Sequence, residues 1–297
     1  MKTLKTLLGT AVATVGAIAV TGQQAAAFEM LENGTAFTLF LECLNDGIGL
    51  VVDSDKADAY GWQYAIDSFN DGTHVGGVGG DYEIYGMAVL ETESEIWVTV
   101  NADTPLLGHY FSGAADSNVG WGDLFVDLDG VNFENARDDG DLFGVRFAST
   151  NDSGVGDTGV YSGIGTKSVA LDNSGYDSLS SHDNMVENSY GGIASLGDLN
   201  VDPNNIYYGE HLNDNVIAYG QREGGITYRT EQELASMGYN VSQFGGSDTI
   251  AFSFNKSSIG LEGNPSEEVP EPFSMAALGA VGFGLMKRKM RQKATAK

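Results

Sequence analysis

Apolar and polar residues alternate with a period of two over most of the chain. In residues 95–101, Ile96, Val98 and Val100 share one face, and Trp97 lies on the opposite face among polar residues. Clusters of Gly, Asp, Asn and Ser separate such stretches and are typical of turns. The pattern predicts an all-β fold, a β-sandwich of the jelly-roll or lectin-like kind. The predicted strands cover residues 51–55, 62–67, 82–90, 95–101, 121–129, 142–148, 166–171, 216–219 and 249–255.

One short helix interrupts the alternation. Thr230 and Glu233 have the spacing of a capping box, in which each side chain accepts a backbone N–H of the other residue. Leu234 and Met237 follow at helical spacing, and Gly238 can end the helix.

Charge is distributed unevenly along the chain. The protein has 41 Asp and Glu residues against 15 Lys and Arg, and residues 28–268 hold 40 of the acids and seven of the bases. A body this acidic repels nucleic acid, which is therefore excluded as a partner, and attracts divalent cations. The one cysteine, Cys43, rules out a disulfide within the chain.

The N-terminal residues have the pattern of a secretory signal peptide. Two lysines precede an uncharged, largely apolar run at 7–20, and the small residues Ala25 and Ala27 follow. We expect a signal helix over residues 1–27, cut before Phe28 by signal peptidase after passage through the translocation machinery. An uncleaved N-terminal helix is the alternative.

The C-terminal residues form a second three-part signal. Val269, Pro270, Glu271 and Pro272 precede an uncharged run at 273–286, and a basic cluster follows. The prolines keep the junction extended, the apolar run can enter a bilayer as a transmembrane helix, and the basic cluster stops transfer. The basic residues are Lys287, Arg288, Lys289, Arg291 and Lys293.

This order of parts resembles the PEP-CTERM sorting signal, in which an exosortase recognises Pro-Glu-Pro before a transmembrane segment and a basic tail. The resemblance implies an exosortase partner, processing near Glu271 and delivery to the cell envelope, surface or extracellular matrix. One departure is length, since 14 residues span about 21 Å as a helix, less than a hydrocarbon core of about 30 Å. An ordinary C-terminal membrane anchor is the alternative.

The body is similar to a family of cyanobacterial exosortase-dependent surface proteins. The similarity implies location and a single domain over most of residues 45–255, but no reaction. We expect the body at 28–255, a tether at 256–268 and the sorting signal at 269–297. The similar stretches are 61–67, 82–88, 120–125, 142–148 and 151–155.

Two kinds of ligand site can be predicted. Trp97, Tyr85 and Phe125 stand among polar residues on the outward faces of predicted strands, and Asp123 lies beside Phe125. Exposed rings with acids nearby suit sugar stacking, unless loops cover them. A calcium site is the other hypothesis, with ordinary acidic turns as its alternative. Its oxygen ligands would be Asp127, Asp129, Asp138, Asp139 and Asp141.

The sequence has no nucleophile elbow, phosphate loop or His/Cys pattern of a zinc site. We therefore expect a non-enzymatic surface or matrix protein that contacts exopolysaccharide. A calcium-stabilised adhesion module and a hydrolase of envelope glycans are the alternatives.

Overall fold

A computed structural model describes residues 37–40, 58, 60–66, 81–128, 133–175, 214–241, 245–261 and 273–277, with the backbone alone at 37–40, 65–66 and 273–277. These residues are mostly β-sheet with few helices. The strands are β1 Phe37–Phe40, β2 Trp62–Ile66, β3 Ile84–Glu91, β4 Glu95–Ala102, β5 His109–Tyr110, β6 Asn118–Val119, β7 Leu124–Asp127, β8 Leu142–Arg146, β9 Gly159–Lys167, β10 Val216–Gly224, β11 Thr227–Tyr228, β12 Asp248–Asn255 and β13 Phe273–Ala277. Helix α1 is Phe133–Asp139, helix α2 is Glu231–Ser236, and a 3-10 helix spans Lys256–Ile259.

The strands form a six-stranded, a five-stranded and a two-stranded sheet. The six-stranded sheet has the order β1-β13-β7-β8-β9-β10, and the five-stranded sheet has the order β11-β12-β4-β3-β2. The hairpin β5–β6 is the third sheet. All described pairs are antiparallel except β1 with β13, which is parallel.

Two apolar clusters lie on opposite faces of the five-stranded sheet. The first holds residues of both large sheets, and the ring of Phe147 stacks on that of Phe252 with centroids 5.1 Å apart. The second joins Trp62 and Trp97 of the sheet to Leu234 of α2 and to Tyr239. Because β4 alternates Ile96, Val98 and Val100 with Trp97, one strand supplies both clusters.

Helix α2 confirms the sequence prediction in detail. The Thr230 side chain accepts from the Glu233 N–H, and the Glu233 carboxylate accepts from the Thr230 N–H. Most predicted strands are also present, with small shifts at their ends. The stretch 51–55 lies outside the described residues.

The prediction of a strand at 166–171 was wrong for most of its length. Strand β9 covers Gly159–Lys167, and residues 168–175 form a turn. Glycine is usually unfavourable inside a strand. At Gly165, however, a side chain would collide with the Tyr219 ring, and at Gly159, where φ is 155°, it would collide with the Gly224 carbonyl. Close approach of neighbours, which one sequence does not reveal, explains these glycines.

An acidic stretch predicted as a turn is partly helix. Asp138 and Asp139 lie in the last turn of α1, and Gly140, with φ of 85°, follows it. Phe133 and Ala136, three residues apart, bury one face of this helix. That spacing is helical, and it outweighs the turn preference of the acids.

The apolar C-terminal run begins as a strand. Phe273–Ala277 pairs with β1 on one side and with β7 on the other, whereas a helix was predicted from residue 273. An extended backbone satisfies the hydrogen-bonding groups at the edge of β7, which a helix cannot do. The remainder of the run and the N-terminal signal lie outside the described residues.

The body also extends beyond the predicted boundary at 255. Ile259 of the 3-10 helix is fully buried, and Leu261 packs on the first cluster. Within the described ranges, no helix is long and apolar enough to cross a membrane.

Candidate functional site

Trp97 is not an exposed platform. Trp97 lies on the side of the five-stranded sheet that α2 and Tyr239 cover, and 7% of the residue is exposed. The Arg229 guanidinium lies 4.1 Å from the ring centroid, and the Trp97 indole N–H donates to Glu95. The strand alternation was right, but a second layer fills the position predicted for a sugar.

The other predicted stacking residues are also covered or dispersed. Phe125 is fully buried and packs edge-on against Phe133 at 5.2 Å. The Tyr85 hydroxyl donates to Asp103, and burial followed by this hydrogen bond raises the pKa of Tyr85. Because Phe125 exposes no ring surface, it cannot stack on a sugar, and the predicted set forms no common platform.

The predicted calcium ligands do not converge where the structure describes them. Asp127 is fully buried on β7, whereas Asp138 is exposed and accepts from the Arg137 guanidinium. Asp139 and Asp141 are exposed at the end of α1. No group of three or more acidic, His or Cys side chains in the described ranges is arranged to hold a metal. Asp129 lies outside those ranges.

Three surface segments instead form one ordered group, here named the loop cluster. The Ala115 N–H donates to the Asp172 carbonyl at 2.7 Å, and the Thr150 hydroxyl donates to the Leu107 carbonyl at 3.0 Å. The Trp121 indole N–H donates to the Pro105 carbonyl at 3.0 Å. These bonds join residues 105–121, which include the hairpin β5–β6, to residues 149–155 and 168–175.

The loop cluster carries exposed apolar side chains. Tyr110, the last residue of β5, is 79% exposed, and Phe111, the next residue along the chain, is 43% exposed. Leu107 and Leu171 are also exposed. Exposed apolar groups that are held together on ordered loops are typical of interaction sites.

The backbone of the loop cluster is strained at two positions. Ser117 has φ of 66° and Ser174 has φ of 61°, and they are the two non-glycine residues with positive φ in the described part of the chain. A non-glycine residue in this region costs about 1–3 kcal/mol. The Ser174 hydroxyl donates to the Gly113 carbonyl at 2.6 Å, which ties the two strained segments together.

A small pocket lies between the loop cluster and Asn215. Its volume is about 10 Å³, and carboxylate and amide groups contribute to its lining. The Asn173 amide donates to the Asp152 carboxylate at 2.7 Å, and the Val169 N–H donates to the Asn215 side-chain oxygen at 3.0 Å. A space of this size accepts one water molecule or one hydroxyl group.

A buried carboxylate supports the loop cluster from below. Asp123 is fully buried, and its two oxygens accept from the Asn151 amide and the Ile217 N–H, both at 2.7 Å. Burial raises the pKa of Asp123 to about 6, and the hydrogen bonds and the Arg146 charge oppose this rise. Asp123 is therefore a structural acid and not a ligand for a surface sugar.

Arg146 fixes the neighbouring loop through four hydrogen bonds. Its Nε donates to the Asn151 side-chain oxygen at 2.9 Å, and its terminal nitrogens donate to the carbonyls of Ser149, Asn151 and Val155. Because Arg146 is only 7% exposed, its charge serves the loop and offers little to a ligand.

Sequence reasoning did not identify the loop cluster. Its hairpin strands have two residues each, too few for an alternation signal. The neighbouring aromatic pair Tyr110-Phe111, set among Gly, Ser, Asp and Asn, was the available signal.

Three groups of predicted site residues lie outside the described residues. They are the sorting motif Val269 to Pro272, the basic residues from Lys287 to Lys293, and the signal-cleavage residues Ala25, Ala27 and Phe28.

No protein-family model, no curated protein and no solved structure matches this chain.

Proposed function

We propose that this is an exported protein of the cell surface or extracellular matrix, processed by an exosortase at its C-terminus, whose body contacts polysaccharide without catalysing a reaction. Export and sorting are supported by the sequence pattern at 1–27 and by the three-part sequence signal at 269–297. We also propose a β-sandwich of the jelly-roll or lectin-like kind, because the first apolar cluster draws on both large sheets.

The exposed pair Tyr110 and Phe111 carries the polysaccharide proposal. The apolar C–H face of a sugar ring stacks on an aromatic ring, and a sugar needs hydrogen-bonding groups beside that ring. Asp116 is exposed in the same hairpin, and its carboxylate can accept a hydrogen bond from a sugar hydroxyl. The loop cluster thus replaces Trp97 as the platform.

The sorting proposal is tested by the intact mass of the protein recovered from the cell surface. New termini at Phe28 and near Pro272 are expected, because both signals would have been processed. A full-length mass that retains Lys297 would contradict sorting and leave polysaccharide contact to be judged separately.

The polysaccharide proposal is tested by pull-down with a panel of insoluble polysaccharides. The double variant Tyr110→Ala/Phe111→Ala should lose at least tenfold in affinity, because both stacking faces are removed. Tyr219→Ala is the matched control, since Tyr219 is 67% exposed but lies on β10, outside the loop cluster. If no polysaccharide binds the wild-type protein, or both variants bind equally, the proposal fails.

A further inference from the structure

We propose that the loop cluster binds an uncharged polysaccharide and excludes anionic ones. This inference rests on the proposed function and specifies the chemical class of its ligand. It follows from the carboxylates of the loop cluster and from the contacts that the cations of the body already make.

The loop cluster that holds the exposed aromatic pair also carries carboxylates. Asp116 and Asp172 are exposed, and Asp152 is half-buried at the pocket. Over residues 28–268 the sequence carries 40 acids against seven bases. An approaching anionic polymer is therefore repelled by the net negative charge of the body.

Nearly all the described cations of the body are already engaged. Arg146 is buried and donates to loop oxygens, and Arg229 pairs with Glu95 beneath α2. Lys167 differs from these cations, because it is exposed at the end of β9, next to the turn at 168–175. The remaining pairs are Arg137 with Asp138 and Asp214, Lys256 with Glu91, and Arg222 with the Thr158 carbonyl.

The hydrogen-bonding chemistry suits neutral sugars. A carboxylate only accepts hydrogen bonds, and sugar hydroxyls donate them, so each exposed acid can hold a hydroxyl beside a stacked ring. The ionised carboxylate of a uronate and a sulfate group carry no proton to donate to these acids. In water, one like-charge pair at 4 Å weakens binding by about fivefold.

The test is affinity electrophoresis of the full chain in native gels that contain one soluble polymer each. Hydroxyethyl cellulose and dextran are the neutral probes and alginate is the anionic probe, all with EDTA to prevent bridging by divalent cations. We expect retardation by a neutral probe and at least tenfold weaker retardation by alginate. Tyr110→Ala/Phe111→Ala should abolish the neutral retardation, and Tyr219→Ala should preserve it.

Ionic strength provides a second readout. The dissociation constant for the neutral probe should stay within about twofold between low and high salt, because no charge pair forms or breaks. Alginate binding that equals neutral binding and depends on Tyr110 and Phe111 would overturn the inference while leaving polysaccharide contact intact. Neutral binding that disappears in salt would also overturn it. Absence of binding to every polymer would instead defeat the proposed function.

Discussion

Replacing Asp123 by asparagine tests the buried support of the loop cluster. The folded protein raises the pKa of this carboxyl from 3.8 to about 6, chiefly because Asp123 is buried. The native state therefore binds more protons than the unfolded state between these pH values. Its stabilising contribution is fully present below about pH 4 and is lost as the pH rises through 6.

The size of the effect follows from the two pKa values. A difference of about two pH units corresponds to roughly 3 kcal/mol, of which about 2 kcal/mol falls between pH 4 and 7. The amide of the Asp123→Asn variant does not titrate, so its free energy of unfolding lacks this term. The amide also directs a donor at Ile217 or Asn151, which costs about 1–3 kcal/mol at every pH.

The assay is urea denaturation of both proteins from pH 4 to pH 7, followed by circular dichroism. The other titrating groups are shared, so their effects cancel in the difference between the two proteins. The free energy of unfolding of the variant minus that of the wild type should rise by about 2 kcal/mol over this range. A difference that stays constant within 0.5 kcal/mol would refute a buried carboxyl with a raised pKa.

Three further predictions concern other parts of the fold. Thr230→Ala should cost about 1 kcal/mol in urea denaturation because α2 loses its cap, and an unchanged midpoint would argue against the capping box. Gly154→Ala should lower the free energy of unfolding by at least about 2 kcal/mol, since the new Cβ would lie 2.0 Å from the Ala218 carbonyl oxygen. Gly156→Ala is the control and should lower it by under about 0.5 kcal/mol, because the space around Gly156 is open. Equal losses in the two variants would contradict the geometry. Arg229→Gln should cost about 1–2 kcal/mol through loss of the partly buried ion pair and the ring contact, and a thermal midpoint within 1 °C of the wild type would disprove that role.

The strands of the five-stranded sheet were predictable because their periodicity is strong. In β4, the division of Trp97 from Ile96 and Val98 correctly separated the two faces. The exposure of Trp97 was not predictable, because its cover comes from Arg229 and α2, more than 130 residues further along the chain. Alternation shows which residues share a face, and it does not show what lies on that face.

The loop cluster shows the same limit more strongly. Asp123 accepts from Asn151 and Ile217, which are 28 and 94 residues away in sequence. Nothing local distinguishes Asp123 from the many acids on turns, so a buried structural acid was assigned to a sugar site. The positive φ of Ser174 is likewise accompanied by a contact distant in sequence, the hydrogen bond from its hydroxyl to the Gly113 carbonyl.

Strand β13 is formed by residues that the proposed sorting of the tail also requires. Residues 273–277 pair with β1 and β7 in the sheet, and the same residues would begin the membrane-entering segment in the proposed sorting step. One segment cannot meet both demands at once, so the two processes compete in time. Sorting must engage the tail before the sheet closes over it, or else pull it out. A processed chain would leave β7 with an open edge and β1 without the strand beside it.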